Sequence, residues 1–414
     1  MIFNSLNWPR SQVATLPLPE GWSAAEVYDC EGRSLPTQIS GETLLFHAAD
    51  VQSIGYRLVW ICPAVATPEP AVTPGWTLEN DRLRVLVNPL TGNLSSVIDK
   101  LHDREILSAP GNQLQAFQDS GQYWDAWNID PNYAEHPLPP AKTLSVIWID
   151  RGTIRQRLRV QRLVGSSRLQ QDYVLDFDSD ILKIETIADW QEEHVLLKAA
   201  FPLTVTSDFA TCEIPFGAID RPTRPQTPAE AAQWEVPALH WADLSASDYG
   251  VSLLNDCKYG YDAQPSQLRL TLLRSARWPD PTADRGEHTF CYALYPHGDR
   301  WSQAQTVQRG YELNQPLIVH SPQSSADPRL PASGEFLNLS APNVICSALK
   351  RSQDGQQWIL RCYEANGREA AIELSGLLSL QITHRTNLLE AAIEGDTKQI
   401  TNWSIATFAL QHTA

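Results

Sequence analysis

A short segment rich in aromatic and acidic residues, 121–130 (GQYWDAWNID), contains the side chains best suited to chemistry. Tyr123, Trp124 and Trp127 flank Asp125 closely along the chain. Indole faces stack on the C–H faces of sugar rings, and a carboxylate accepts hydrogen bonds from sugar hydroxyls. The segment therefore predicts a sugar-binding surface. A Trp-rich turn packed into a domain junction is the alternative that the residues leave open.

Two other segments hold histidines and acids. His297 and Asp299 have the spacing of two metal ligands, but two ligands do not complete a metal site, so a turn at a strand end is the preferred interpretation. The segment 278–288 (WPDPTADRGEH) is rich in acids, and a structural loop is preferred there over a binding loop. The chain has no G-x-S-x-G, P-loop, G-x-G-x-x-G or H-E-x-x-H motif, so no complete catalytic motif is visible.

The composition predicts a globular protein of two or three domains. The chain has 414 residues, which exceeds what one hydrophobic core usually supports. Its 29 prolines and single methionine disfavour a helical bundle. The net charge of −16 repels phosphate groups and anionic lipids, so we expect no nucleic-acid partner and no membrane partner.

The cysteines and the first residues indicate a cytoplasmic protein. The 7 cysteines are widely spaced and include no C-x-x-C pair, which is typical of free thiols in a reducing compartment. Residues 1–10 lack the basic start and apolar stretch of a signal peptide, and no later segment is apolar enough to span a membrane. No thiolate metal site is expected.

The hydrophobic pattern predicts an all-β fold. Residues 82–87 alternate, 88–93 contain turn residues and 94–98 resume the alternation, which is typical of a β-hairpin. Strands are also predicted at 154–163, 171–177, 182–190, 250–254, 268–273, 289–294, 357–363, 370–374 and 400–410. Helical periodicity is absent except for one turn at 228–234, so strands without intervening helices indicate β-sandwiches.

Two proline-rich connectors, 63–74 and 321–334, suggest three domains. The predicted boundaries are a small N-terminal β domain at 1–66, a large central supersandwich at 75–320 and a C-terminal β domain at 335–414.

Several segments resemble the C-terminal β-region of glycoside hydrolase family 38, the α-mannosidases, particularly the cytosolic and bacterial type. They are YWDAWNID (123–130), PFGAIDRPT (215–223), WEVPALHWADLSASDYGVSLLNDCKYGYD (234–262), LRLTLLRSARWPDPTADRGEHTFCYALYPH (268–297), YELNQPL (311–317), LRCYEANG (360–367) and RTNLLE (385–390). The opening IFNSLNWPR is similar as well, so the resemblance covers essentially the whole chain in order. It implies a central supersandwich of the galactose mutarotase-like type.

The resemblance also implies which parts this chain does not supply. In the family, an N-terminal α/β barrel and a helical bundle provide the zinc ligands and the nucleophile, and none of these has a counterpart here. We therefore expect no catalytic residue and no metal ligand in this chain, with zinc on the N-terminal half. The expected function is that of the non-catalytic half of a retaining α-mannosidase, which is inactive alone.

The resemblance implies that the β-region lends a few side chains to the rim of a sugar site. The substrate-binding candidates are Tyr123, Trp124, Asp125, Trp127, Arg274 and His288. Asp125 is expected to bind a sugar hydroxyl or to orient a barrel residue, and core packing is the alternative for the tryptophans. The expected partners are mannosides or other saccharides and the catalytic half of the enzyme, with self-association through the surface that the barrel would cover. A free-standing carbohydrate-binding or oligomerisation protein is the alternative function.

Overall fold

A computed structural model describes residues 1–65, 75–121, 124–321 and 330–413. The chain divides into two compact units. Unit 1 holds the described parts of 1–69, 215–218 and 315–414, and unit 2 holds the described parts of 70–214 and 219–314. Nearly all regular structure in both units is β-strand, so the all-β prediction is confirmed. Parts of both predicted connectors, 66–74 and 322–329, lie outside the described residues.

The strands are as follows, in chain order. The first group, in unit 1, comprises β1 (Ile2–Asn4), β2 (Arg10–Pro17), β3 (Ala25–Tyr28), β4 (Ser34–Leu35), β5 (Thr37–Ser40), β6 (Thr43–Val51), β7 (Gly55–Arg57) and β8 (Trp60–Pro63). The second group comprises β9 (Thr77–Glu79), β10 (Leu83–Val87), β11 (Leu94–Asp99), β12 (Arg104–Glu105), β13 (Gln113–Gln118), β14 (Lys142–Arg151), β15 (Arg155–Val164), β16 (Ser167–Asp176), β17 (Leu182–Trp190), β18 (Val195–Pro202), β19 (Phe209–Ile214), β20 (Gly217–Pro222), β21 (Val236–Pro237), β22 (Trp241–Ser245), β23 (Tyr249–Asn255), β24 (Gly260–Gln264), β25 (Gln267–Arg274) and β26 (Gly286–Gly298). The third group, again in unit 1, comprises β27 (Ile318–Val319), β28 (Ser333–Glu335), β29 (Asn338–Leu339), β30 (Val344–Arg351), β31 (Trp358–Glu364), β32 (Ala370–Ala371), β33 (Leu374–Ser375), β34 (Leu380–Thr386), β35 (Ala392–Ile393), β36 (Gln399–Ile400) and β37 (Ile405–His412).

Unit 2 is the large central sandwich that the sequence predicts. Within the described residues, its largest sheet has nine strands in the order β14-β15-β16-β17-β26-β23-β22-β19-β20. A five-stranded sheet, β13-β18-β25-β24-β21, and a four-stranded sheet, β12-β11-β10-β9, share one hydrophobic core with it. Strand β17 shows how the sequence builds this core, because Leu182, Ile184 and Trp190 are buried at alternate positions along it.

The predicted hairpin is present as β10 and β11, which pair antiparallel. Gly92, in the turn of this hairpin, has φ +67°, a backbone conformation that residues other than glycine rarely adopt. A Cβ at this position would also lie 2.4 Å from Val160 Cγ1, so space and backbone conformation both require glycine. Arg162 and Tyr173, both fully buried, donate hydrogen bonds to the Gly92 carbonyl, which ties the turn to the core.

Unit 1 contains two separate hydrophobic clusters. One is built from strands β1, β2, β3 and β6, and the other mainly from β30, β31, β34 and β37 of the C-terminal segment, together with Ile54. The predicted first and last domains therefore both belong to this unit. The division of the chain into three domains stays a prediction.

The helices are short. Helix α1 (Pro228–Ala231) lies at the single predicted helical turn, and its N-terminus has a capping box formed by Thr227 and Glu230. Helix α2 (Thr306–Asn314) contradicts the expectation that no further helix is present. Its buried side includes polar residues such as Gln308 and Glu312, so the sequence shows no apolar helical period. No helix in the described part of the chain is long and apolar enough to cross a membrane.

Candidate functional site

The tryptophan loop, defined as residues 119–130, follows strand β13 and is closed at its base by Asp119. The Asp119 carboxylate is almost fully buried and accepts a hydrogen bond from the Asp130 backbone N–H at 2.8 Å. The same carboxylate forms an ion pair with Arg274, the last residue of β25, and Arg274 also donates to the Asn128 carbonyl. The loop is therefore attached at two points to the strand two places away in the five-stranded sheet.

Asp125 joins the tryptophan loop to a second segment, the acidic loop (residues 275–285). Its carboxylate accepts hydrogen bonds from the backbone N–H groups of Arg277 at 2.7 Å and Trp278 at 2.9 Å. Burial raises the pKa of Asp125, but these two N–H donors outweigh burial and hold the pKa below its ordinary value. Asp125 is therefore ionised at neutral pH and is only 7% exposed.

Residue 121 must be glycine because the Asp125 side chain lies directly against its backbone. Gly121 has φ +55°, and a Cβ at this position would lie 2.7 Å from the Asp125 Cβ. Any other residue would push the carboxylate away from the backbone groups that it binds.

Three indole rings project from the two loops. Trp124 is 55% exposed, Trp127 is 74% exposed and Trp278 is 47% exposed. The rings of Trp124 and Trp278 meet edge to face, with centroids 3.9 Å apart. We call these three residues the tryptophan platform. Their exposure shows that they are not packed in the core of unit 2.

Trp124 has an unusual backbone conformation, with φ +55°. Positive φ is rare for a bulky residue and costs about 1–3 kcal/mol unless the surroundings impose it. Here the Trp127 N–H donates to the Trp124 carbonyl at 2.7 Å, which closes a turn and directs the indole outwards. Strained residues of this kind occur preferentially at functional sites.

Comparisons with known proteins place the chain in a family. The model of the glycosyl hydrolases family 38 C-terminal domain matches residues 78–282, and that of the family 38 C-terminal beta sandwich domain matches residues 343–408. The chain belongs to the C-terminal region of glycosyl hydrolase family 38. The first of these matches includes the tryptophan loop and most of the acidic loop.

Two curated relatives are α-mannosidases. The chain is 35% identical to alpha-mannosidase 2C1 of Homo sapiens over 410 residues, which is 94% of this chain and 36% of that protein. It is 28% identical to an alpha-mannosidase of Saccharomyces cerevisiae over 381 residues, 81% of this chain and 34% of that protein. The chain thus spans about a third of the length of these relatives.

Two solved structures from Enterococcus faecalis show the same fold. A family 38 protein superposes with a TM-score of 0.81 at 14% identity, covering 99% of this chain and 57% of that one. An α-mannosidase superposes with a TM-score of 0.79, also at 14% identity, covering 99% of this chain and 55% of that one.

The family 38 chain brings four of the six predicted site residues together. Trp124, Asp125 and Trp127 belong to the tryptophan loop, and Arg274, the last residue of β25, is bonded to that loop at Asp119 and Asn128. His288 lies on β26, where its Nε2 contacts the Asp284 carbonyl oxygen at 2.7 Å, and within the described residues no hydrogen bond joins its side chain to the other four. The remaining candidate, Tyr123, lies outside the described residues. All six roles stay predictions.

Trp278 and Asp119 are contributors that the sequence did not single out as site residues. Asp119 follows β13, a strand that the sequence analysis did not predict, and Trp278 lies 153 positions beyond Asp125 in the chain. The dipeptide Trp278–Pro279 just after a strand was the available local signal, because aromatic residues in a Pro-rich loop are often exposed.

His297 is not arranged as a metal ligand. Its ring is buried, and its Nε2 lies 2.8 Å from Asp243 Oδ2, which also accepts a hydrogen bond from Ser252 at 2.8 Å. Burial lowers the pKa of His297, but the Asp243 carboxylate outweighs burial and raises it. Ser252 Oγ also lies 3.2 Å from His297 Nε2, and both side chains are buried and bind the same carboxylate oxygen, so we interpret the three residues as a structural cluster of the core.

The described residues offer no set of metal ligands. No group of three or more His, Cys, Asp or Glu side chains in these parts of the chain is placed to hold an ion. The described residues therefore do not fit a zinc site. All seven cysteines are free thiols.

Proposed function

We propose that this chain acts as the β-half of a retaining α-mannosidase, with the tryptophan platform forming part of the rim of the mannoside site. One observation supports this most strongly: three exposed indoles project from two loops that Asp119, Asp125 and Arg274 fasten together, in a chain that belongs to family 38. Stacking of a sugar on one exposed indole contributes about 1–3 kcal/mol.

In this proposal the residues of the two loops have different tasks. Trp127, the most exposed indole, contacts the sugar ring. Asp125 and Arg274 are positioning residues, because their charged groups are occupied by backbone atoms and by Asp119. Tyr123 and His288 remain secondary candidates for substrate contact.

The chemistry requires groups beyond these loops. A retaining glycosidase needs a nucleophile and an acid/base carboxylate about 5 Å apart on the two sides of the scissile bond. The resemblance assigns the nucleophile and the zinc ligands to the N-terminal part of such enzymes. We therefore propose that an N-terminal α-mannosidase half is the partner of this chain, and that the β-half alone is inactive and self-associates.

We also propose a cytoplasmic location. The support is that the chain has seven free thiols and resembles the cytosolic type of α-mannosidase.

The test is hydrolysis of 4-nitrophenyl α-mannoside in the presence of zinc. We expect no turnover by this chain alone and turnover when an N-terminal family 38 half is added. Trp127→Ala should then lower kcat/KM by about tenfold, the equivalent of about 1.4 kcal/mol, without preventing assembly of the two halves. Trp60→Ala is a matched control, since Trp60 is also about half exposed but lies in unit 1 on β8.

Two results would contradict the proposed role in the enzyme, and a third would refute self-association. Turnover by this chain alone that Asp125→Ala or Asp284→Ala abolishes would place a catalytic centre inside the β-region. A well-folded complex of the two halves that stays inactive would show that this chain does not complete the enzyme. Sedimentation of the isolated chain as a monomer at high concentration would refute self-association.

A further inference from the structure

A cavity of about 290 Å³ lies in unit 2 beside the edge strand β20. None of the three residues of the tryptophan platform lines it. Its volume is close to the lower limit of small-molecule sites in proteins. We call it the β20 pocket, and it is lined in part by Tyr133, Arg221, Pro222, Gln233, Trp234 and Arg269.

The walls of the β20 pocket combine flat apolar surface with a few polar groups. Trp234 is 37% exposed and supplies an aromatic wall. Pro131, Pro222 and Pro225 supply rigid apolar surface. The amide side chains of Gln233 and Gln264 can both donate and accept hydrogen bonds. This combination suits a sugar ring, which has apolar C–H faces and a hydroxyl edge.

One group of charges beside the pocket is already balanced. The fully buried Lys198 lies 2.7 Å from Asp262 and also pairs with Glu235. Arg269 lies 2.7 Å from the other oxygen of Asp262 and donates to the Tyr133 hydroxyl at 2.9 Å. Two cations thus face two carboxylates, so this group leaves no cation available for a ligand.

Arg221 differs from these residues. No carboxylate lies within ion-pair distance of its guanidinium in the part of the chain that the structure describes. Its Nε is buried without a hydrogen-bond acceptor, and Nη1 donates only a long bond of 3.3 Å to Gln233.

The acid that α1 contributes to the pocket lining, Glu230, is already bonded elsewhere. Glu230 is the capping-box residue of α1, and its carboxylate accepts hydrogen bonds from the backbone N–H groups of Gln226 at 2.6 Å and Thr227 at 3.1 Å. The carboxylate is therefore occupied at the start of the helix. The guanidinium remains available to a ligand anion, which it binds best with two parallel hydrogen bonds.

The pocket is suited to binding and not to covalent chemistry. Cys212 is a thiol in the pocket lining, but burial raises its pKa to about 12 even though the Arg221 guanidinium lowers it. The thiol is therefore protonated at neutral pH and cannot act as a nucleophile.

We propose that the β20 pocket binds a monosaccharide with one anionic group, with Arg221 on the anion and Trp234 against the sugar ring. A carboxylate and a phosphate offer the same chemistry to a guanidinium. This inference does not depend on the mannosidase function, since the platform residues do not line the pocket.

The test is isothermal titration of the whole chain with three probes: mannose 6-phosphate, glucuronate and the neutral methyl α-mannoside. We expect at least one of the anionic sugars to bind about tenfold more tightly than the neutral one, with an affinity that falls as salt is added. The stronger of the two anionic probes identifies the anion as phosphate or carboxylate. Inorganic phosphate alone should bind more weakly than mannose 6-phosphate.

Two variants test the two contacts separately: Arg221→Gln removes the contact with the anion, and Trp234→Ala removes the contact with the sugar ring. Arg221→Gln and Trp234→Ala should each weaken binding of the anionic sugar by about tenfold or more. Arg224→Gln is the matched control, because Arg224 is on the same segment but its side chain is 60% exposed. Trp127→Ala separates this pocket from the platform, and neither control should change the affinity.

Four outcomes would overturn the proposal. They are no binding of either anionic sugar at millimolar concentration, unchanged binding by Arg221→Gln, an equal loss in Arg224→Gln, or loss of binding in Trp127→Ala. Should Arg221→Gln fail to fold, an unchanged affinity in Trp234→Ala refutes the sugar pocket by itself. Loss of mannosidase activity in Trp127→Ala with intact binding of the anionic sugar would support both proposals separately.

Discussion

Replacing Asp125 by asparagine tests how the two loops are held together. The carboxylate accepts two backbone hydrogen bonds, from Arg277 and Trp278, through its two oxygens. An amide has the same shape but only one oxygen, so one of the two N–H groups then faces an NH2 donor. A lost hydrogen bond to a charged group costs about 1.5–3 kcal/mol, and water can reach part of this rim, so we expect a loss of about 2 kcal/mol.

The assay measures the free energy of unfolding of unit 2 in urea, with tryptophan fluorescence as the readout. Trp127→Ala should change the free energy of unfolding by less than about 0.5 kcal/mol, because Trp127 is 74% exposed. Asp280→Asn is the matched control, since Asp280 accepts hydrogen bonds only from Thr282 in its own loop. An unchanged free energy of unfolding in Asp125→Asn, or an equal loss in Trp127→Ala, would refute this account of the loops.

The pH dependence gives a second check on Asp125. Its pKa in the folded state lies below its ordinary value of 3.8, so its stabilisation is fully present above that pH. The stabilisation is lost as the pH falls through the folded pKa. The difference in unfolding free energy between wild type and Asp125→Asn should therefore be constant near neutral pH and narrow below 3.8. If this difference in unfolding free energy widened on acidification, its pH dependence would have the opposite sign. That result would exclude the role assigned to the Asp125 carboxylate.

Two further predictions concern the framework of unit 2. Gly92→Ala should lower the unfolding free energy by about 2–4 kcal/mol, since it adds strain at φ +67° and a methyl group 2.4 Å from a core side chain. Gly32→Ala, at a glycine of unit 1 with φ +78° and open space, should lower the unfolding free energy of that unit by only about 1 kcal/mol, and equal losses in the two variants would disprove the packing argument. Asp176 is ionised between Arg155 and Lys183, and although burial raises its pKa, the two cations lower it from 3.8 to about 2. This shift predicts about 2 kcal/mol of stabilisation above pH 3.8 that disappears towards pH 2, and a stability difference between Asp176→Asn and wild type that does not depend on pH in this range would contradict it.

The strands could be predicted where one face of the sheet is buried. Strand β17 has the predicted bounds, 182–190, because its side chains alternate between core and surface. The predicted strand at 400–410 is in fact two, β36 and β37, since the turn residues 401–404 interrupt it. Helix α2 could not be predicted, because the side chains that it buries include polar residues such as Glu312.

The aromatic surface of the candidate site could be predicted from the sequence, but the contacts that hold it in place could not. The residue types at 121–130 indicated an aromatic surface with an acid, and Trp124 and Trp127 are exposed as such a surface requires. The hydrogen bonds of Asp125 could not be predicted, because their donors are the backbone N–H groups of residues 277 and 278. Every residue except proline has a backbone N–H group, so the residue types at 277 and 278 do not reveal these donors. Contacts between residues so far apart in the chain also have no local sequence pattern.

The separation in sequence between the two loops also determines when the platform can form. The hydrogen bond from Arg277 to Asp125 closes a stretch of 152 residues, and strand β18, which lies between the two loop-bearing strands in the sheet, belongs to that stretch. Contacts of such high sequence separation form late in folding, after more local pairings have reduced the entropy of closure. A ribosome-bound chain that ends before residue 278 should therefore have its first sheets paired but no assembled platform. Sugar recognition would then begin only after nearly the whole of unit 2 has left the ribosome.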